Sequence, residues 1–473
     1  MRAVDLARIQ FAITTLFHFF FVPITIGLVW LTAIMQTAWR HTANDDWLRL
    51  TRFFGKLLLI NVAIGVATGL VQEFQFGMNW STYSRFVGDV FGAPLAIEGL
   101  AAFFIESTFL GIWIFGWNRL NPRVHLAAIY LAAVGATLSA VFIIAANSWM
   151  QHPVGYAINA TTGRAQLTSI GAVLTNPIFL WAITHTLLAS FVAGSAILLS
   201  VSCWQLRQGR SADAFRRSAT LALVVLFPAT GLALMTGARL AVTVTQLQPM
   251  KTAAMESLWN SEGPASFSLV QFGGMSVDDQ IPWFDIEIPH LLSILATNSW
   301  DGEVQGINPT QAAEVQQYGE GNYIPTVAFS YWGLRLMVYT GTLVLLIAGT
   351  GLFLVWRRKL ATSRWFHRVA IWTVLAPFVM NFGGWVMTET GRQPWIVWGL
   401  QQTSDANSPS VSAVQVGFTL GGFVLLYGVL GVIDGWLMIR AGRRDLDPVP
   451  PEWELDHHDG DHHSPTKIPA LSY

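Results

Sequence analysis

Residues 383–395 read GGWVMTETGRQPW. The stretch closes an apolar run of about twenty residues, the length needed to cross a bilayer, yet it carries the carboxylate Glu389 and, three residues on, the guanidinium Arg392. Ionisable groups at the end of a membrane span are costly and usually mark function. Trp385 and Glu389 stand at i and i+4, which sets an aromatic ring and a carboxylate on one helical face. Gly391 and Pro394 then stop the helix. The plainer alternative is a capped span whose Arg and Trp anchor it among lipid headgroups.

Composition extends the membrane reading to the whole chain. Its 473 residues are 53% hydrophobic and 12% charged, with 30 Phe and 21 Trp; soluble domains carry about twice that charged fraction. This is the make-up of an all-α polytopic membrane protein, and nothing in it suggests a nucleic-acid partner. The net charge of −1 says little, because the placement of Lys and Arg carries the information in such a protein. With one cysteine, Cys203, no intrachain disulfide can form, and in its apolar run Cys203 reads as a small apolar residue. The opening MRAVDLARIQF contains an acidic residue and no small-residue cleavage site, so it is expected to belong to the mature protein.

Nine spans are expected, at about 11–39, 53–75, 92–117, 125–150, 177–206, 218–241, 329–356, 369–390 and 412–439. Arginines and lysines gather after the first, third, fifth, seventh and ninth, all on one side, which the positive-inside rule makes cytoplasmic. The N-terminus is then outside and the C-terminus inside. The expected organisation is six spans in 1–241, an extracytoplasmic loop over 242–328, three spans in 329–440 and a disordered cytoplasmic tail over 441–473. So long a loop is usually a functional element or disordered. The tail's four histidines could hold a metal only adventitiously, and no internal repeat is evident.

Charges and imidazoles inside the spans are few: His18, Glu73, Glu98, Glu106, His185, Arg239, Arg335 and Glu389. His18 lies about 10 Å along the first span and His185 about 12 Å along the fifth, with Met337 at a similar depth in the seventh. Glu98 and Glu389 fall in the same outer half. Scattered core residues have no reason to share a depth. His and Met are haem iron ligands, although Met337 alone reads as packing and an intramembrane imidazole needs a partner. Glu98 and Glu106, eight residues apart, advance about 12 Å and turn about 80° beyond two full turns, onto adjoining faces. Intramembrane carboxyls suit a proton relay; a hydrogen-bonded contact between helices is the alternative. In the loop, QPMKTAAMESLW sets Lys251 and Glu256 on what composition alone makes a solvated helix.

GWxxxExGRQPW in the eighth span, AIEG and FFIEST in the third, and QPMK with AAMES in the loop together resemble the signature of the cytochrome bd-type quinol oxidases, subunit I, over residues 5–440 or so. The resemblance implies a haem-bearing subunit that oxidises quinol at the outer face and reduces O2 to water with cytoplasmic protons, electrogenic without a pump. It implies a low-spin haem b on His185 and Met337, beside the quinol site. It also implies a high-spin haem b and a chlorin, haem d, divided between His18 and Glu389. Glu98 is implied beside that pair, Glu106 on the proton route with Ser107 and Ser139, and Lys251 and Glu256 at the quinol. Arg335 is expected to meet a haem propionate, since a cation at that depth would otherwise stay unpaired, and Trp385 and Arg392 belong to the haem environment. The implied partners are a subunit II of similar fold, small single-span subunits, menaquinol or ubiquinol, and O2, in the bacterial cytoplasmic membrane. The loop is compact, lacking an insertion that some members carry, and Arg239 has no assigned role. A secondary transporter coupling ions through Glu98, Glu106 and Glu389 is the rival; it predicts inverted repeats and broken mid-membrane helices.

Overall fold

The computed structural model describes residues 2–117 and 119–448. Among them are nine helical spans long and apolar enough to cross a membrane. Four come first: α1 (Ala3–Thr42), α2 (Asp45–Met78), a third built from the end of α3 (Ser81–Ile97), a π-helical stretch Glu98–Phe103 and α4 (Phe104–Phe115), and α5 (Pro122–Gln151). A small hairpin, β1 (Tyr156–Ile158) with β2 (Ala165–Leu167), and the short α6 (Ile170–Leu174) lead to α7 (Pro177–Gln208) and α8 (Ala212–Leu247). Asn121 and Asn176 start α5 and α7 by accepting a backbone N–H two residues on, each ahead of a proline at the first helical position.

The 242–328 loop is ordered. It holds α9 (Pro249–Glu256), an antiparallel hairpin of β3 (Phe267–Gly273) and β4 (Pro282–Ile288), α10 (Leu291–Thr297) and α11 (Ile307–Tyr318). Two small apolar clusters of its own tie it down, one around Met250, Ala254, Trp259 and Ile307, the other around Phe267, Leu292 and Val304. The remaining spans are α12 (Val327–Trp356), the pair α13 (Arg364–Ala370) and α14 (Ala376–Thr390) joined by 3-10 turns, and α15 (Ala413–Gly442). Between the last two, β5 (Trp395–Val397) pairs with β6 (Gln401–Gln402). The GRQPW segment therefore leaves the helix where Gly391 was expected to end it.

Two expectations need correction. The third and eighth spans are interrupted, by the π stretch and by the 3-10 stretch Ile371–Leu375, where unbroken helices were expected. Both interruptions keep the backbone helical, so neither unwinds to line a transport pathway. The tail does not begin at 441: α15 runs to Gly442, and Arg210 donates to the Arg443 carbonyl (2.6 Å) while Ser211 donates to Asp445 (2.8 Å). Leu446 is buried. The rest of the expected tail, 449–473, lies outside the described residues.

Small residues set the crossings between the helices that carry the expected iron ligands. A Cβ on Gly27 of α1 would stand 2.1 Å from the Ser190 carbonyl oxygen of α7, and one on Gly194 would stand 2.5 Å from the Gly27 carbonyl carbon. Gly333 of α12 and Gly383 of α14 meet in the same manner, each 2.6–2.7 Å from the other's carbonyl oxygen. In membranes, backbones approach this closely only through such residues. The first crossing fixes the helices of His18 and His185, the second those of Met337 and Glu389.

Candidate functional site

His185 on α7 donates its Nδ1 proton to the Ala233 carbonyl of α8 at 2.9 Å, since a carbonyl can only accept. His18 on α1 has Nδ1 3.1 Å from the Thr68 hydroxyl of α2, whose own proton goes to the Ile64 and Gly65 carbonyls. The His18 Nδ1 proton is therefore the one donated. In both rings the tautomer is set and Nε2 is left as the electron-pair donor, the arrangement that orients metal-bound histidines.

Each of these side chains also faces a glycine on a neighbouring helix. A Cβ on Gly69 would come within 3.0 Å of His18 Cε1, one on Gly237 within 3.3 Å of His185 Cε1, and one on Gly384 within 3.0 Å of Met337 Sδ. Three of the four expected iron ligands thus sit in a cradle that any larger residue would fill. Donor type, free Nε2 and kept space together fit a flat prosthetic group with axial ligation.

The fourth, Glu389, ends α14. Asn147 of α5 donates to its Oε1 at 2.9 Å, and Arg392 donates to its Oε2. Arg392 is buried, and its Nε and Nη1 have no partner among the described residues. Two orphaned donors on a buried guanidinium suit a further acidic group, such as a haem propionate. Trp385, one turn before Glu389, meets Phe19 edge-on at 4.8 Å, linking α14 to the residue after His18.

From Glu389 a line of amides runs into the loop. Gln151 donates to Asn147 (3.2 Å), and the Lys251 ammonium donates to Gln151 (2.6 Å). Lys251 also packs on Gly391, where a Cβ would stand 2.9 Å from its Cγ. Glu256 turns the other way: the Arg335 guanidinium of α12 donates to its carboxylate (2.6 Å) and to the Met255 (2.5 Å) and Ser268 (2.6 Å) carbonyls. The same guanidinium lies 3.6 Å from the Tyr331 ring centre.

Composition had made α9 a solvated helix, but every residue from Met250 to Glu256 is buried. Burial pushes the Lys251 ammonium down to about 7, with Glu389 opposing the shift and Arg392 adding to it. Burial pushes the Glu256 carboxyl up, against Arg335. The ground for expecting Arg335 to meet a propionate also falls: it is not an otherwise unpaired cation but the counter-ion of Glu256. An open cavity of about 390 Å³ adjoins α9 on the side of Thr252 and Pro249 and is lined across from them by Thr297, Glu303 and Gln305. Neither Lys251 nor Glu256 lines it.

In the third span Ser139 of α5 donates to Glu98. Gly135, one turn earlier on α5, touches the backbone at Glu106, where a Cβ would stand 2.5 Å from the amide nitrogen. Ser107 donates within its own span, to the Phe103 carbonyl (2.7 Å) and at longer range to that of Phe104 (3.5 Å), and is exposed. Ser139, the weaker of the two serines by sequence, is the one that reaches a carboxylate. Arg239, left without a role, reaches Asn298 at the end of α10 (3.3 Å).

Sequence reading missed Thr68, Asn147, Gln151 and the buried Glu314 of α11. The i, i+4 pair Asn147 and Gln151 at the loop end of an apolar span was the available signal for two of them.

The described fold and site define a multi-span membrane protein that carries, within its spans, imidazole and thioether side chains of the kinds that can ligate haem, and a folded loop between its sixth and seventh spans. The chain belongs to the cytochrome bd terminal oxidase subunit I family, whose model matches residues 6–446. It is 42% identical to the cytochrome bd ubiquinol oxidase subunit 1 of Bacillus subtilis over 97% of this chain and 96% of that one. To the cytochrome bd-II ubiquinol oxidase subunit 1 of Escherichia coli it is 37% identical, over 93% and 96%. Its fold matches the structure of the bd oxidase from Geobacillus thermodenitrificans with a TM-score of 0.85 at 27% identity, covering 94% of this chain and all of that one.

Proposed function

We propose that the chain is the haem-bearing subunit of a quinol:oxygen oxidoreductase that oxidises a membrane quinol on the loop side and reduces O2 to water. The observation that carries this reading is the set of three ligand side chains, two with Nε2 free, each facing a glycine cradle. His185 and Met337 would hold a low-spin haem b. His18 and Glu389 would hold one high-spin haem each, a haem b and a haem d. Bound haem supplies one-electron transfer and an iron position where oxygen binds.

The chain's own residues do the rest. Glu256, its carboxyl raised by burial, is suited to take a proton from the quinol, and Arg335 stabilises the anion that remains when the proton leaves. Lys251, able to change charge near neutrality, orients through Gln151 and Asn147 toward Glu389. Arg392 offers its orphaned donors to a propionate. Glu98, held by Ser139, stands beside the oxygen-reducing pair, and Glu106 passes it protons from the Arg-rich side, which is cytoplasmic by the positive-inside rule. Releasing quinol protons outside while consuming protons from inside makes the reaction electrogenic. A subunit II of similar fold completes the enzyme in the bacterial cytoplasmic membrane.

Haem content tests this reading. The complex purified from membranes should carry one low-spin and two high-spin haems per chain, a chlorin among them. His185→Ala should lose the low-spin b spectrum while keeping the chlorin band. Loss of every haem band together, or of none, would contradict the assignment of His185.

A further inference from the structure

The β3–β4 hairpin is amphipathic in an unusual sense. Its cross-strand pairs Phe267–Ile288, Val270–Ile286 and Phe272–Phe284 share one face, and Ser268–Glu287 and Gln271–Asp285 share the other. In a water-soluble hairpin the apolar face turns inward. Here Phe272, Phe284, Ile286 and Ile288 are all exposed, Ile286 at 47%.

Contacts with α12 fix where that face lies. Phe272 meets Trp332 at 5.6 Å, Arg335 binds the Ser268 carbonyl, and Tyr339 donates to the Leu269 carbonyl, so β3 runs along one stripe of the helix. Arg357 and Arg358 follow the far end of α12 at Trp356. Counting back from there by about 30 Å of hydrocarbon, about 20 residues, places the loop-side boundary near Met337. Trp332 is then about 8 Å outside the hydrocarbon and Tyr339 about 3 Å inside it. The hairpin lies along the interface, where a strand edge can still find water, with Trp283, Trp332 and Tyr339 forming an aromatic belt. α12 itself exposes Phe329, Leu336 and Leu343 along one face. At the inner corner of the hairpin's apolar face, Phe267 lies under the Arg335 guanidinium, 4.9 Å away, and Arg335 holds Glu256.

We propose that this apolar face seats the isoprenoid tail of the quinol, which enters from the loop-side leaflet with its ring directed past Phe267 toward the Arg335–Glu256 pair. The proposal rests on the quinol reading above. A membrane quinol joins a polar, proton-bearing ring to a long hydrocarbon chain. The hairpin offers the matching sequence, an ion pair at one end and an exposed apolar strip at the membrane interface at the other.

The test is the Michaelis constant of the intact complex in lipid nanodiscs, compared for a long-tailed quinol and for duroquinol, which has methyl groups and no tail. The exposed double substitution Ile286→Ser with Ile288→Ser should raise KM for the tailed quinol about tenfold, the loss of roughly 1.4 kcal/mol of apolar contact. KM for duroquinol, and kcat for both, should stay as in the native enzyme. Ile286→Leu with Ile288→Leu should restore the tail preference. An unchanged KM for the tailed quinol would overturn the proposal and give this face to bulk lipid or a partner subunit. An equal rise for both quinols would overturn it in favour of a structural role. A native enzyme that oxidises neither quinol would instead reject the quinol reading itself.

Discussion

His18, His185 and Met337 stand out in the sequence because imidazoles are rare in a span and the three share a depth; their structure adds the glycines that face them. Met337→Leu keeps side-chain volume and removes the sulfur that faces Gly384. The expected outcome is a five-coordinate iron, an altered reduced b-haem spectrum and quinol-driven turnover reduced at least a hundredfold. An unchanged spectrum and rate would make Met337 packing. Glu314 shows what residue types hide. A carboxylate in a polar loop attracts no notice, yet this one is buried with neither oxygen partnered among the described residues. Burial pushes its carboxyl up to about 7 from the ordinary 4.5. The folded state then binds a proton more tightly than the unfolded one, so its contribution is fully present below about 4.5, falls as pH rises, and is lost above about 7. Glu314→Gln should flatten that stretch of the stability profile. Above pH 7 it should also stabilise the protein by about 1–3 kcal/mol, the penalty of an unpartnered buried polar group, read as a higher thermal midpoint in detergent. A variant whose profile tracks the native one across this range would place the titration elsewhere.

At the scale of the element, the third span carries the largest difference between sequence and structure. Uniform 3.6-residue geometry sets Glu98 and Glu106 about 80° apart in rotation. The π stretch Glu98–Phe103 holds back about one residue's rotation, about 100°, which brings the two carboxylates to within about 20° of one face. Nothing in AIEGLAAFF announces that turn, because its residues suit an α-helix equally well. The span existed in the sequence as hydropathy, while its phase depended on how α5 packs against it at Gly135 and Ser139. Glu106→Gln retains size and hydrogen bonding but cannot carry a titrating proton. Haems should assemble and reduce normally in this variant while steady-state oxygen uptake falls by about tenfold or more. Glu98→Gln, adjoining Ser139, should change the haem spectrum as well as the rate. Haem spectra and oxygen uptake on both variants in the same membranes decide the matter: normal turnover in Glu106→Gln returns that residue to a contact between helices.

For the whole molecule, span count and order were legible because hydropathy and helix length are properties of local sequence: among the described residues the nine spans occur where expected, the third slightly shorter and the other eight longer at one end or both. The loop was not legible as a folded unit. Its burial comes from α9 sliding between α8, α11 and α12, and a composition of Gln, Lys and Glu gives no sign of partners contributed by distant helices. That packing divides two residues read together in sequence, turning Lys251 toward Glu389 and Glu256 toward Arg335. The loop is thereby connected through Gln151 and Asn147 to Glu389 of α14, and directly to Arg335 of α12. We propose that quinol oxidation on this loop drives oxygen reduction at the buried site. Oxygen uptake by the purified complex supplied with reduced quinol tests it most directly. Rapid, quinol-dependent uptake is expected from a protein coloured by b-type haem and a chlorin, with two quinols oxidised and two waters formed per O2. A colourless protein from haem-supplied cells, or a coloured one that consumes no oxygen with any quinol, would contradict it.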